Sequence, residues 1–267
     1  MGTGGFSTRN GSMEAFASPS AEWITILFMF AAGVNFSLYY NLFYGRTRAL
    51  VRDSEFRFYA GLMVVVTLLI AINLAPLYQG QVGKLSRDSL FQTVSMGSST
   101  GLSTVNYHRW PGFSQLLLYL LMFMGGCAGS TSSALKQVRV VLILKAIKRK
   151  LTRLIHPQAV IPIVLGETVV SEETLNDVLV FTIFYLIVVL VVSLVLAAQG
   201  LDLLRAVSAA AAALWNLGRG FGSVELTTIY ADFNLPTKFL LSVCMLLGRL
   251  EIYPIMVLLL PNFWRRS

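Results

Sequence analysis

Charge is what this sequence lacks. Only 13% of its 267 residues are Asp, Glu, Lys or Arg, about half the share of a soluble domain. Against that, 55% are hydrophobic and the mean hydropathy is +0.69. An ordinary water-soluble domain is excluded, and an integral membrane protein is expected. Acidic residues are the scarcer sign, 13 against 21 basic, giving a net charge of +8. A basic balance can serve nucleic acid. Here the basic residues flank apolar runs, so they read as membrane-orienting and no nucleic-acid partner is expected. Histidine and cysteine are rare, two of each. No metal-ligand cluster and no nucleophile–base pair emerges, so no enzyme is expected. Cys127 and Cys244 lie inside apolar segments and read as packing residues rather than a disulfide framework. The opening MGTGGFSTRNGS lacks the basic and apolar regions of a signal peptide, and Phe6 breaks the myristoylation pattern.

What the sequence has is long apolar runs: Trp23–Tyr44, Phe58–Leu77, Leu116–Leu135 continuing less purely to Ile147, Leu175–Ala198, and Phe239–Leu260. Each approaches or exceeds the ~20 residues that span a bilayer as helix. Two segments, Asp88–Met96 and Leu203–Trp215, are helix-like but too short to span. Asp88 or Ser89 is expected to cap the first, and Asp202 the second. Arg46, Arg48, Arg52 and Arg57 follow the first run; Lys136, Arg139, Lys145, Lys148, Arg149, Lys150 and Arg153 follow the third. The positive-inside rule makes both stretches cytoplasmic, along with Arg265 and Arg266, and places 78–115 and 199–236 outside. His156–Thr174 reads as a cytoplasmic connector with a small hairpin around Gly166-Glu167. His108 and His156 are expected to be solvated. Glu14, Glu225 and Asp232 are expected on an outer rim.

A short motif recurs: GTGGFST at Gly2–Thr8, SSTGLST at Ser98–Thr104, and WNLGRGFG at Trp215–Gly222. Gly5, Gly101 and Gly218 fall in register. Each copy precedes a polar stretch and then a long apolar helix; the second and third also follow a short one. Irregular backbone at membrane depth is tolerated only when buried in protein or lining a cavity. Glycine-rich strands can turn carbonyls toward an axis and replace the hydration shell of a monovalent cation. The strands carry no carboxylate of the kind a divalent ion wants. The candidate ion-binding positions are Thr3, Gly4, Gly5 and Phe6; Ser99, Thr100, Gly101 and Leu102; and Asn216, Leu217, Gly218 and Arg219. Farther on, MGGCAGSTSSALK at Met124–Lys136 interrupts the third run with glycines and small hydroxyl residues. Such residues also make close helix-packing faces, but this stretch follows a glycine strand. Lys136 marks either the end of that broken helix or the positive-inside bias. Arg249 sits inside the last run near Glu251, and an intramembrane charge faces a cavity or a partner.

TGGFST, STGLST, GGCAGST and LLGRLEIYPIMVLLLPNFW together resemble the Trk/Ktr/HKT superfamily of potassium transporters, closest to its bacterial TrkH/TrkG potassium-uptake branch. The likeness covers essentially the whole chain. It implies an all-α integral membrane fold of repeated helix–pore-helix–filter-strand–helix units, as in potassium channels, in a bacterial inner membrane. Four such units surround one pore in the family. The chain resembles the second half of unit two (1–45), unit three (46–156), a connector (157–174) and unit four (175–267), and is therefore expected to be part of a longer protein. K⁺, with Rb⁺ as surrogate, is the implied cargo at the filter positions, without a covalent cofactor. A gate is implied at Gly125, Gly126, Cys127, Ala128, Gly129, Ser130, Thr131, Ser132 and Ser133, with Lys136 beside it and Arg249 facing the pore below the filter. A homodimer and a TrkA-type cytoplasmic nucleotide-binding ring are the implied partners. Two departures stand out: Ser132-Ser133-Ala134 is poorer in glycine than usual, and Arg219 replaces a common proline. The Arg219 side chain is expected to lean away from the axis, toward the outer mouth or Glu225. A secondary transporter with re-entrant hairpins and a non-conducting truncated remnant are the alternatives.

Overall fold

The structure, a computed structural model, describes residues 4–9, 11–166, 168–218, 233–259 and 261–264. Thr3, Glu167, Arg219, Glu225, Asp232, Arg265 and Arg266 lie outside the described residues, and with them the expectation for the Arg219 side chain. In chain order the helices are α1 (Pro19–Ala32), α2 (Phe36–Phe43), α3 (Thr47–Arg52), α4 (Ser54–Leu74), α5 (Val82–Gly97), α6 (Gly112–Met124) and α7 (Gln137–Ile155). They continue as α8 (Glu172–Ala198), α9 (Leu203–Leu214), α10 (Leu235–Arg249), α11 (Tyr253–Leu259) and α12 (Pro261–Trp264). Strands β1 (Val164–Leu165) and β2 (Thr168–Val169) pair between α7 and α8, with Val164 opposite Val169 and Leu165 opposite Thr168. That is the small hairpin expected around Gly166.

Among the described residues, two helices are long and apolar enough to cross a membrane unbroken: α4 with the single turn that extends it to Leu77, and α8. Asp53 caps α4, accepting the Phe56 N–H at 2.7 Å. Ser171 caps α8, accepting from Thr174 N–H at 3.1 Å, with Glu172 and Glu173 in the first turn. Both helices are apolar all round, and both bury only one face. On α4, Tyr59, Met63, Val66, Ile70 and Leu74 are buried, whereas Val64, Val65, Leu68 and Ile72 are exposed. On α8, Phe181, Tyr185, Val189, Val192 and Leu196 are buried, and Ile183, Leu186, Ile187, Leu190 and Leu194 are exposed. An uncovered apolar face on an apolar helix suits lipid.

The two short helices behave oppositely. From Ala206 onward α9 is buried except at Val207, and α5 is buried at nearly every position from Asp88 to Gly97 despite Gln92, Thr93 and Ser95. α5 lies among α1, α4 and α6; α9 lies between α8 and α10. Gly248 sets the last contact, because a Cβ there would overlap the Leu214 carbonyl.

The remaining apolar runs are not single helices. The first is bent by 98° between α1 and α2. The third breaks at 125–136, as its glycines suggest. The fifth breaks directly after Arg249, where Glu251 and Ile252 both take positive φ, 58° and 53°. Hydropathy registers composition over a window and cannot see a backbone break inside it. The expected caps differ as well. α5 starts at Val82, so Asp88 and Ser89 sit inside it; Asp88 Oδ2 accepts from the Tyr78 hydroxyl at 2.8 Å. Asp202 holds the N-cap position of α9 but makes no side-chain cap bond. His156 and Glu14 are exposed as expected, but His108 is half-buried, its ring 4.6 Å from that of Tyr107.

Candidate functional site

The ends of α5 and α9 fold alike. After α5, the N–H groups of Ser98, Ser99 and Thr100 reach back to Val94, Met96 and Ser95. After α9, those of Trp215, Asn216 and Leu217 reach back to Ala211, Ala213 and Ala212 in the same offsets. Ser99 and Asn216 occupy the left-handed region, φ 55° and 51°, followed two residues later by Gly101 and Gly218 at 76° and 80°. This is the helix-ending geometry in which a left-handed residue lets the next N–H bond five residues back. The two strands therefore correspond residue for residue, Ser99-Thr100-Gly101 to Asn216-Leu217-Gly218, although only the glycine is shared. The negative ends of two helix dipoles point at them.

Gly4–Phe6 joins these strands, and each of the three segments touches the other two. The Gly5 N–H donates to the Thr100 carbonyl at 2.7 Å. A Cβ on Gly5 would lie 2.5 Å from the Gly101 oxygen; one on Gly101 would overlap the Leu217 oxygen; one on Gly218 would overlap the Gly4 oxygen. No side chain other than hydrogen fits at these crossings, and the positive φ is itself suited to glycine. The Leu102 carbonyl turns back to accept from the Ser95 hydroxyl at 2.6 Å, and the Phe6 side chain is 87% exposed. Thus Gly4, Gly5, Thr100, Gly101, Leu217 and Gly218 form the crossing. Phe6 and the Leu102 carbonyl face elsewhere.

The interrupted segment, 125–136, lies against strand Ser99–Leu102. The Ser99 and Ser132 hydroxyls are 2.7 Å apart, and Ser132 Oγ also accepts the Gly126 N–H at 2.9 Å. The loop fills the bend between α1 and α2. Carbonyls freed at the end of α1 are taken up by it: Gly33 O accepts from Cys127 N–H at 2.8 Å, and Ala32 O from Thr131 N–H at 3.3 Å. Phe36 N–H donates to Gly129 O at 3.2 Å. Helix ends leave such groups unsatisfied unless something else supplies them, so the bend and the loop complete each other. At its base, Gln137 closes the loop, its N–H donating to Gly126 O at 3.0 Å and its Nε2 to Gly125 O at 2.5 Å.

The break after α10 delivers opposite charges to this loop. Arg249 Nη1 donates to Thr131 O at 2.7 Å and to Ser133 Oγ at 3.3 Å. Glu251 pairs with Lys136 and accepts from Arg139 Nη2 at 2.7 Å. Arg139 also stacks over the Phe181 ring at 3.9 Å. Lys136 and Arg139 are thus partnered inside the protein, which the positive-inside reading of this stretch does not indicate. Lys136 is the N-cap residue of α7, at the end of the broken run. Sequence reading missed Glu55 and Gln137, both buried. Glu55 sits in an arginine-rich stretch that reads as a solvated loop, and nothing in its spacing marks it. Among the described residues, no group of His, Cys, Asp and Glu is arranged to hold a metal ion, and Cys127 and Cys244 are free and buried.

The chain resembles known proteins over nearly its whole length. Residues 1–266 match the family profile "TrkH: Cation transport protein". The chain is 38% identical over 267 residues to the Trk system potassium uptake protein TrkH of Escherichia coli (strain K12), covering 98% of this chain and 54% of that protein. It is 31% identical over 263 residues to the Trk system potassium uptake protein TrkG of the same strain, again covering 98% and 54%. The crystal structure of the potassium transporter TrkH from Vibrio parahaemolyticus superposes with a TM-score of 0.91 at 37% identity, over 98% of this chain and 56% of that one. The chain spans about half the length of the curated relatives it matches.

Proposed function

Because the chain belongs to the TrkH family of cation transport proteins, we propose that it forms part of a K⁺ pathway through a bacterial inner membrane, with its glycine strands as filter and the 125–136 loop as gate. The observation that carries this reading is the stacking of the two irregular segments. Backbone carbonyls of three glycine strands converge at Gly5, Gly101 and Gly218, and the loop lies directly against one of them through Ser99 and Ser132. Carbonyl rings select monovalent cations, and the dipoles of α5 and α9 favour positive charge at that point. Arg249, held on the Thr131 carbonyl, puts a fixed positive charge beside the loop, an electrostatic barrier to cations. The whole fits a transport protein and not an enzyme.

On this reading the chain by itself does not conduct. Its strands contact one another pairwise, so the carbonyls meet neighbouring backbone instead of a central ion. A further strand from outside this chain is needed to hold them apart. The alternative of a substrate-binding transporter loses its candidate carboxylate, since Glu251 is occupied by Lys136 and Arg139. Dimerisation and a nucleotide-binding regulatory ring on the cytoplasmic side belong to the same proposal, with the basic stretch Lys145–Arg153 as the facing surface. The test is reconstitution with a chain that supplies unit one and the first half of unit two of the family fold, followed by ⁸⁶Rb⁺ flux with Na⁺ competition. K⁺-selective flux is expected, and Gly101→Ser is expected to lower selectivity over Na⁺. Flux and selectivity unchanged by Gly101→Ser would overturn the filter assignment.

A further inference from the structure

The charged contacts of the loop already described come from the α10–α11 break. A separate carboxylate reaches it from the opposite side. Glu55, in the first turn of α4, is only 7% exposed, and its hydrogen-bond partners among the described residues are backbone N–H groups. Its Oε1 accepts two backbone N–H groups, from Ala128 at 2.7 Å and from Val138 at 2.9 Å. These lie on the two limbs of the interruption, one inside the loop and one just beyond it.

Val138 is the second residue of α7, so its N–H is one of the orphan donors that open every helix. Ordinarily a Ser, Thr, Asp or Asn at the N-cap satisfies such a donor. α7 has Lys136 there, at φ 68°, with no side-chain cap bond. The cap is supplied in trans by another helix. A carboxylate at that place also lies at the positive end of the α7 dipole and of its own α4 dipole. By holding Ala128 with the same oxygen, Glu55 clips the descending limb of the loop to the start of α7.

We propose that Glu55 is the positioning residue of the intramembrane loop: it fixes how far the loop stands from the filter strand by capping α7 and tying Ala128 to that cap. The proposal rests on reading the loop as the gate only for its consequence in transport. The positioning itself stands on the two hydrogen bonds. Loss of Glu55 leaves two buried donors without an acceptor, whereas glutamine keeps a carbonyl oxygen and loses the charge.

The experiment uses the full chain in lipid nanodiscs with Cys244→Ala, which leaves Cys127, buried in the loop, as the reporter. N-ethylmaleimide labelling of Cys127 is followed by mass spectrometry, with hydrogen exchange of the peptides covering Ala128 and Val138. Glu55→Ala is expected to speed both by about tenfold or more, and Glu55→Gln by less, a graded rescue that follows the strength of the acceptor. Asp53→Asn, which disturbs the cap of α4 but accepts no hydrogen bond from the loop among the described residues, is expected to leave amide exchange at Ala128 and Val138 at the parent rate. If Glu55→Ala loosens the whole fold, seen as faster labelling of Cys244 in a Cys127→Ala chain, the Glu55→Gln comparison decides. Labelling and exchange within twofold of the parent in Glu55→Gln and in any folded Glu55→Ala would overturn the proposal, as would an equal rise in amide exchange at Ala128 and Val138 in Asp53→Asn. No ion flux is measured, so this outcome is separate from that of the transport reading.

Discussion

The molecule holds two irregular, glycine-bearing segments in contact, and they differ in how far side chains hold them. The strand crossing is held by backbone against backbone: Gly5 N–H on Thr100 O, and glycine faces against the carbonyls of Gly101, Leu217 and Gly4. The loop adds side-chain tethers to its backbone bonds with Ala32, Gly33 and Phe36: Glu55 and Arg249 reach it from other helices, while its own Ser132 and the adjoining Gln137 close it. A backbone crossing tolerates no added atom. A side-chain-tethered loop tolerates added atoms better but depends on each tether. On the proposed reading, the first suits a selective filter and the second a gate that moves.

That contrast sets an order of sensitivities. Gly101→Ala is expected to be the most damaging change, since its Cβ would overlap the Leu217 carbonyl at a residue with φ 76°. Strain and overpacking together cost about 2–5 kcal/mol, read as a fall in thermal-unfolding midpoint in detergent; a loss below about 1 kcal/mol would place the strands farther apart than described. Next comes Ser132→Ala, which removes the acceptor of the Gly126 N–H and the partner of Ser99. It is expected to cost about 1–3 kcal/mol and to accelerate amide exchange at Gly126 while leaving Gly101 protected. Equal acceleration at both would mean that loop and strands open as one unit. Arg249→Ala is smaller, about 1 kcal/mol, because the side chain is solvent-accessible in this chain; its signature is exchange at 129–134 and, in the completed assembly, increased cation leak. Gly61→Ala should not destabilise at all. A Cβ there meets nothing within 4 Å on the exposed face of α4, so a gain of up to about 1 kcal/mol is expected. A loss would reveal a close neighbour on that face.

Much of this was legible in the chain. The uninterrupted helices α4 and α8 follow from apolar length, and the short helices from their failure to reach it. Gly5, Gly101 and Gly218 could be aligned by eye, and they meet in space. The correspondence of Asn216-Leu217 with Ser99-Thr100 was not legible, because the shared property is a backbone angle and not a side chain. The bend after α1 was hidden in a run of even hydropathy; it is stable only because loop donors reach Ala32 and Gly33 from about 100 residues away, Thr131 being 99 from Ala32. Glu55 was hidden for the same reason, its partners lying 73 and 83 residues ahead. Glu251 and Lys136, 115 apart, each looked like a charge in search of an explanation until the fold paired them.

The sequence by itself therefore determined what depends on neighbouring residues: which stretches are apolar enough for lipid, where glycine permits positive φ, and where along the chain the cations cluster. Tertiary structure alone decided where the unpaired donors, acceptors and charges of each helix end find partners. Buried away from water, those groups must be satisfied from within the protein, and the group that satisfies them is fixed by distance in space rather than by position along the chain.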